Sequence, residues 1–101
     1  MKDWRTFLSK GVVIFSKTTC PYCDQVKNLF SSLEVKFKAI ECDVEFSPAE
    51  IDKLKKESGH TTFPNVWIGD VSCKGYSDVK KMLEDESLFS VLDKFGIPYS
   101  K

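Results

Sequence analysis

A chain of 101 residues with fifteen basic and fifteen acidic side chains has no formal net charge, no basic block to hold nucleic acid and no acidic solvating tail. Its length fits one domain, residues 1–101, which would bury roughly 60–70% of the unfolded surface. The longest strictly apolar run, residues 12–15, is far too short to cross a membrane. Residues 1–11 lack the apolar centre of a signal peptide, so the expectation is a soluble cytoplasmic protein with no membrane partner.

Taken in order, Trp4, Phe7 and Leu8 have helical spacing and predict a short helix over residues 3–10, ended by Gly11. Residues 12–16 read as a buried strand, and Val26, Leu29, Phe30 and Leu33 mark a helix over residues 21–33. Val35, Phe37 and Ala39 alternate with lysines, the period of a half-buried strand. Ser47-Pro48-Ala49-Glu50 is a capping box opening a helix that closes near Gly59. Residues 65–68 and 71–74 predict a hairpin turning at Gly69-Asp70. Ser77 is expected to cap a helix carrying Val79, Met82 and Leu83. Leu88, Val91, Leu92 and Phe95 mark another, and residues 96–101 read as a loose tail. A strand–helix–strand crossover followed by a hairpin gives a small four-stranded mixed sheet with helices on both faces, an α/β fold.

Chemistry concentrates where the first strand hands over to the first long helix, at Lys17-Thr18-Thr19-Cys20-Pro21-Tyr22-Cys23. Pro21 suits the first helical position, so Cys20 becomes the cap residue, its sulfur among unpaired backbone N–H groups. A thiolate is favoured there, and Lys17 adds a full positive charge if the loop folds it over the sulfur. Cys23 lies one turn inside. These features make Cys20 the expected nucleophile and Cys23 the resolving or spectator thiol. Zinc would need two further ligands. Cys42, His60 and Cys73 come singly, without the paired spacing of zinc sites, so no metal site is expected. Cys42 and Cys73 read as buried thiols, Cys73 as the more oxidisable for its place near the groove, and His60 receives no role.

The motif Cys20-Pro21-Tyr22-Cys23 after an apolar strand, with Thr62-Phe63-Pro64 and Gly75-Tyr76-Ser77-Asp78, resembles the dithiol glutaredoxins from about Gly11 to Phe95. The resemblance implies the thioredoxin-like fold and a cis peptide before Pro64, which would lie against the cysteines. It implies glutathione as co-substrate, with no tightly bound cofactor. The backbone of Phe63 would pair with the peptide part of the thiol, beside Tyr22. Ser77 and Asp78 would hold the γ-glutamyl end, and Lys17 or Lys55 the glycine carboxylate. In the implied cycle Cys20 attacks the protein sulfur of a mixed disulfide, frees the substrate thiol and becomes glutathionylated. Partners would be glutathione and glutathionylated or disulfide-bonded proteins, acting on a monomer. Two rival readings stay open on sequence alone, a glutathione-ligated [2Fe–2S] carrier, which Pro21 disfavours, and a thioredoxin-type reductase fed by a protein. Two departures from the family pattern stand out. Lys74 occupies a position where relatives commonly have glycine, and Thr61 one where many have a basic residue.

Overall fold

Four strands, β1 (Val12–Ser16), β2 (Phe37–Glu41), β3 (Asn65–Ile68) and β4 (Val71–Lys74), form one sheet in the order β2-β1-β3-β4. The computed structural model describes residues 3–101. Strand β1 is parallel to β2 and antiparallel to β3, and β3 and β4 close the antiparallel hairpin. Every side chain of β1 is buried, because both faces of this central strand are covered. Val12 and Ile14 face α1 (Pro21–Ser32), α4 (Tyr76–Glu84) and α5 (Ser87–Lys94) in one core. Val13 and Phe15 face α3 (Pro48–Ser58) and Trp4 in another. The strand is thus held rigidly from both sides, and its last residue, Ser16, is where the cysteine loop departs.

Local chemistry explains the helices that frame this loop. Cys20 is the N-cap of α1 and Pro21 its first residue, while Val26 and Phe30 point into the core. In α3, the Ser47 hydroxyl accepts from Glu50 N at 3.2 Å and Glu50 Oε1 accepts from Ser47 N at 2.8 Å. Two orphan donors are satisfied reciprocally, worth about 1 kcal/mol for the serine alone. The helix closes at Gly59, in the left-handed conformation.

The structure differs from the sequence reading in five places. Residues 3–10 form only one 3₁₀ turn, Trp4–Phe7, capped by Asp3; Leu8 is already extended. Burial of Trp4 against Phe15, ring centroids 5.9 Å apart, fixes this segment rather than helical periodicity. In β2, Val35 is buried ahead of the strand and Ala39 is exposed, whereas Ile40 fills the opposite core, because β2 is an edge strand meeting both layers. A short helix, α2 (Cys42–Glu45), comes directly after β2 and carries no sequence signal of its own. Gly75, not Ser77, is the N-cap of α4, and the Asp78 carboxylate reaches back to accept from Gly75 N at 3.2 Å. Finally, residues 96–101 are tied down: Ser100 N donates to Leu33 O at 2.7 Å and Tyr99 packs on Phe89 at 4.8 Å.

The approach to α4 is unusual. Register slips between Val66 and Trp67 as β3 pairs with β4, so Cys73 is the extra residue of a bulge, and the next residue, Lys74, has φ +59°. A bulge bends its strand and re-aims the chain beyond it; here it turns Gly75 and the start of α4 toward the cysteines. A side chain in this left-handed region costs about 1–2 kcal/mol over glycine, partly offset by the entropy glycine loses on folding. Lys74→Gly is therefore expected to stabilise the protein by about 1 kcal/mol, raising Tm by about 4–8 °C. A thermal melt in which the variant unfolds earlier would show that the lysine side chain contributes more than its backbone costs.

Candidate active site

The cysteine loop is anchored at both ends. At its start, the Asp43 carboxylate of α2 accepts from Thr18 N at 3.2 Å and from the Thr18 hydroxyl. Those bonds hold the Asp43 carboxyl below the usual carboxylate range, the hydroxyl contributing most. At the loop's end, Cys20 Sγ accepts from Cys23 N at 3.2 Å, as a side-chain helix cap does. Cys20 and Cys23 are paired as a disulfide, with Cα atoms 5.2 Å apart. Their surroundings are unequal: Cys23 is fully buried, Cys20 only partly so. An incoming sulfur can reach Cys20 alone.

Across from Cys20 lies the Phe63–Pro64 peptide, which is cis, with the Phe63 carbonyl oxygen 3.9 Å from Cys20 Sγ. Two shallow depressions meet on this loop, sharing Thr62 and Phe63. One, about 330 Å³, holds Cys20 with Lys17, Thr19, Lys55 and Thr61. The other, about 260 Å³, runs from Tyr22 to Gly75, Tyr76, Ser77 and Asp78. Every residue predicted for the site therefore borders one depression or the other except Cys23, which lies beneath. Lys17 and Lys55 sit on the Phe63 ring, at 5.8 and 5.7 Å from its centroid. Tyr22 stacks on Tyr76 with centroids 6.0 Å apart and forms the outer wall of the second depression.

The floor of that depression is the N-terminus of α4. Its first helical bond runs from Val79 N to Gly75 O, so the N–H groups of Tyr76, Ser77 and Asp78 precede the ladder. Such a terminus attracts a carboxylate, while the Asp78 side chain beside it attracts a cation. A carboxylate and an amine on one carbon would match this pair. At the other end, two ammonium groups beside Cys20 match a second carboxylate.

Known proteins resemble this chain in sequence and fold. A family model described as Glutaredoxin matches residues 12–72. The chain belongs to the glutaredoxin family. A glutaredoxin of Ricinus communis is 48% identical over 89 residues, 87% of each chain. Glutaredoxin-C2 of Arabidopsis thaliana is 40% identical over 89 residues, 87% of this chain and 80% of the relative. Among solved structures, a buckwheat glutaredoxin–glutathione complex superposes with a TM-score of 0.79 at 38% identity, covering 85% of this chain and 79% of that one. The fold is the thioredoxin-like fold of these glutaredoxins, and thiol oxidoreductase chemistry comes with the family.

Sequence reasoning passes over two residues of this glutaredoxin's site. His60 lies against the second depression, its Nε2 3.2 Å from both Pro64 O and the Thr62 hydroxyl. It braces the cis-peptide loop from below, and a side chain on Gly75 would press on its ring, which explains a glycine there. Asp43 is the other, and its only signal is that it comes soon after the second predicted strand. Cys42 and Cys73 are both buried thiols, as the sequence reading has them, and Cys73 borders neither depression.

Burial pushes the Cys73 thiol up to about 11 and the Cys42 thiol up to about 12. Folding thus favours both neutral forms. The unfolded chain ionises first, near pH 9, so their contribution is intact below pH 9 and is lost as pH rises toward 11 and 12. Cys73→Val should flatten the alkaline fall in urea stability by about 1 kcal/mol per pH unit above pH 9. Parallel curves for wild type and variant would place the alkaline loss elsewhere.

Proposed function

We propose that the chain is a glutathione-dependent thiol–disulfide oxidoreductase acting on protein–glutathione mixed disulfides and on protein disulfides, with Cys20 as nucleophile and Cys23 as resolving thiol. The observation that carries this reading is the unequal exposure of the two sulfurs. Cys20 opens onto a two-lobed groove whose ends carry opposite recognition chemistry, and Cys23 is buried behind it.

Atom balance fixes where attack falls. If Cys20 struck the protein sulfur, as the sequence reading has it, glutathione would leave and the protein would stay attached. Attack on the glutathione sulfur instead forms the Cys20–glutathione bond and expels the protein as thiolate. A second glutathione thiolate then attacks the bound glutathione sulfur, releasing oxidised glutathione and the Cys20 thiolate. On a protein disulfide, Cys20 attacks one sulfur and the other leaves. Cys23 then gives up its proton and attacks the Cys20 sulfur, expelling the substrate's second thiolate and closing the internal disulfide. Two glutathiones reopen it. The helix terminus favours the Cys20 thiolate, although a very low pKa would also blunt its nucleophilicity.

Placement of glutathione is argued from charge. Its γ-glutamyl carboxylate would meet the α4 N-terminus at Ser77 and its amine Asp78, with the cysteinyl backbone against Phe63 and Tyr22 alongside. Its glycine carboxylate would meet Lys17 and Lys55. The test is NADPH-coupled reduction of a glutathione mixed disulfide, run with glutathione and with other low-molecular-weight thiols. Turnover that does not depend on glutathione would overturn the proposal.

Asp78 sharpens the test. Its carboxylate also caps α4, so Asp78→Ala would remove a structural bond together with the charge. Asp78→Asn keeps an acceptor oxygen. It is expected to raise KM for glutathione about tenfold, the loss of one charge-assisted bond, without slowing alkylation of Cys20. Equal falls in both would mean that Asp78 supports the fold instead.

A further inference from the structure

The side chain of Phe63 has no part in the proposed cycle, which uses only its backbone, yet it touches both cations of the groove. Lys17 Nζ lies 5.8 Å from the ring centroid and Lys55 Nζ 5.7 Å from it. The two lysines come from separate elements, the cysteine loop and α3, and both reach this ring. No ion pair among the described residues engages either ammonium. The Asp43 carboxylate feels the Lys17 charge without forming an ion pair with it. Two like charges brought to one ring still repel each other; the negative face of an aromatic group offsets part of that repulsion. An aliphatic residue at 63 offers the same backbone carbonyl to a bound thiol but no such face.

We infer that the Phe63 ring is a positioning residue that holds Lys17 and Lys55 as a preformed two-cation clamp for a carboxylate next to Cys20. This rests on the proposed glutathione reading and deepens it, by assigning to one side chain the selectivity for the glycine end of the tripeptide. Lysine carries a compact charge on a flexible four-carbon stem. Left free, each stem would be ordered only when the anion arrives, at the expense of affinity; docked on the ring, it is ordered beforehand. The ring therefore acts on binding, while the backbone carbonyl and the cysteines carry the chemistry. It also gives Thr61 a reason to be neutral. With two cations already fixed in this depression, a third basic side chain is not needed to balance one carboxylate.

The experiment compares wild type, Phe63→Leu and Phe63→Tyr, each with glutathione and with its glycine monoethyl ester, which lacks the terminal charge. Phe63→Leu should raise KM for glutathione about three- to tenfold and leave kcat within about twofold. Its KM for the ester should scarcely move, so the preference for glutathione over the ester shrinks by the same factor. Phe63→Tyr keeps the aromatic face and should restore both values. An equal rise with both thiols would make the ring a plain apolar wall and overturn the inference. So would a wild-type enzyme that does not distinguish glutathione from the ester.

A readout without turnover separates this inference from the proposed function. The ε-methylene protons of Lys17 and Lys55 should show upfield ring-current shifts in proton NMR of the wild type and Phe63→Tyr, lost in Phe63→Leu. If glutathione supports no turnover at all, the proposed function fails and these shifts alone decide the positioning. Unshifted lysine protons in the wild-type protein would overturn it.

Discussion

Cys20→Ser is expected to abolish reduction of both glutathione mixed disulfides and protein disulfides, whereas Cys23→Ser should keep most of the first activity and lose much of the second. A serine hydroxyl at position 20 is not ionised at neutral pH even beside a helix terminus, and among the described residues no other thiol lines the groove: Cys23 is buried beneath it, and Cys42 and Cys73 are buried in the cores. Loss at Cys20 should therefore reach the uncatalysed background. Deglutathionylation needs only one enzyme thiol, because the incoming glutathione does the resolving. Reduction within one protein leaves that protein attached to Cys20, and release calls for a second thiol held close. Cys23 is held close, with Cα 5.2 Å from that of Cys20 and its N–H bonded to the Cys20 sulfur. Cys23→Ser also touches the core, so its melting temperature belongs beside its rates. A buried hydroxyl costs about 1–3 kcal/mol if unpartnered, enough to lower Tm without unfolding the chain at 25 °C. The variant should even run faster on mixed disulfides, since glutathionylated Cys20 can no longer be diverted into the internal disulfide. If Cys23→Ser loses deglutathionylation and Cys20→Ser keeps it, the two roles are reversed.

The features behind these roles differ in how far sequence carries them. That Cys20 caps a helix comes from Pro21 and from the change of period after Cys23, both local properties. The Ser47–Glu50 box and the Gly69-Asp70 hairpin are legible for the same reason: each is closed by atoms a few residues apart. The features that escape a sequence reading depend on contacts from elsewhere. Trp4, Phe7 and Leu8 have helical spacing, yet the pull of Trp4 into the core beside Phe15 limits the segment to one turn. Ala39 shares its parity with Phe37 but is exposed on an edge strand, while Ile40 finds the opposite core. The tail reads as loose because no periodicity marks it, and the bond from Ser100 N to Leu33 O is a long-range one. The site divides likewise. Cys20, Cys23 and the Ser77–Asp78 helix start stand out as motifs, whereas the bracing by His60 and Asp43 needs three strands brought together in the right order. The meeting of Lys17 and Lys55 on Phe63 is of that second kind.

Gly69→Ala is expected to destabilise the protein by about 2–5 kcal/mol although it removes nothing from the core. Two costs add there. Gly69 has φ +58°, where an L side chain costs about 1–2 kcal/mol. A methyl group on it would also sit 2.3 Å from Cε1 of the Phe95 ring, far inside contact distance. Phe95, the C-cap residue of α5, is half-buried against the core, so displacing its ring loses packing, at about 1–3 kcal/mol. For a domain of this size Tm should fall by about 10–25 °C. Chemistry should be spared. In the register of β1 and β3, Ile68 lies opposite Val12 at the start of β1, whereas the cysteine loop leaves from Ser16 at its other end. At a temperature where the variant remains folded, Cys20 should therefore alkylate at the wild-type rate. Pairing Gly69→Ala with Phe95→Leu separates the two costs, because the overlap is shared between the residues and the backbone strain is not. The double variant should recover more than half of the lost stability relative to Phe95→Leu alone. A single variant that loses less than about 1 kcal/mol in urea unfolding would mean that the Phe95 ring gives way freely, leaving the left-handed backbone at Gly69 as the whole constraint on that turn.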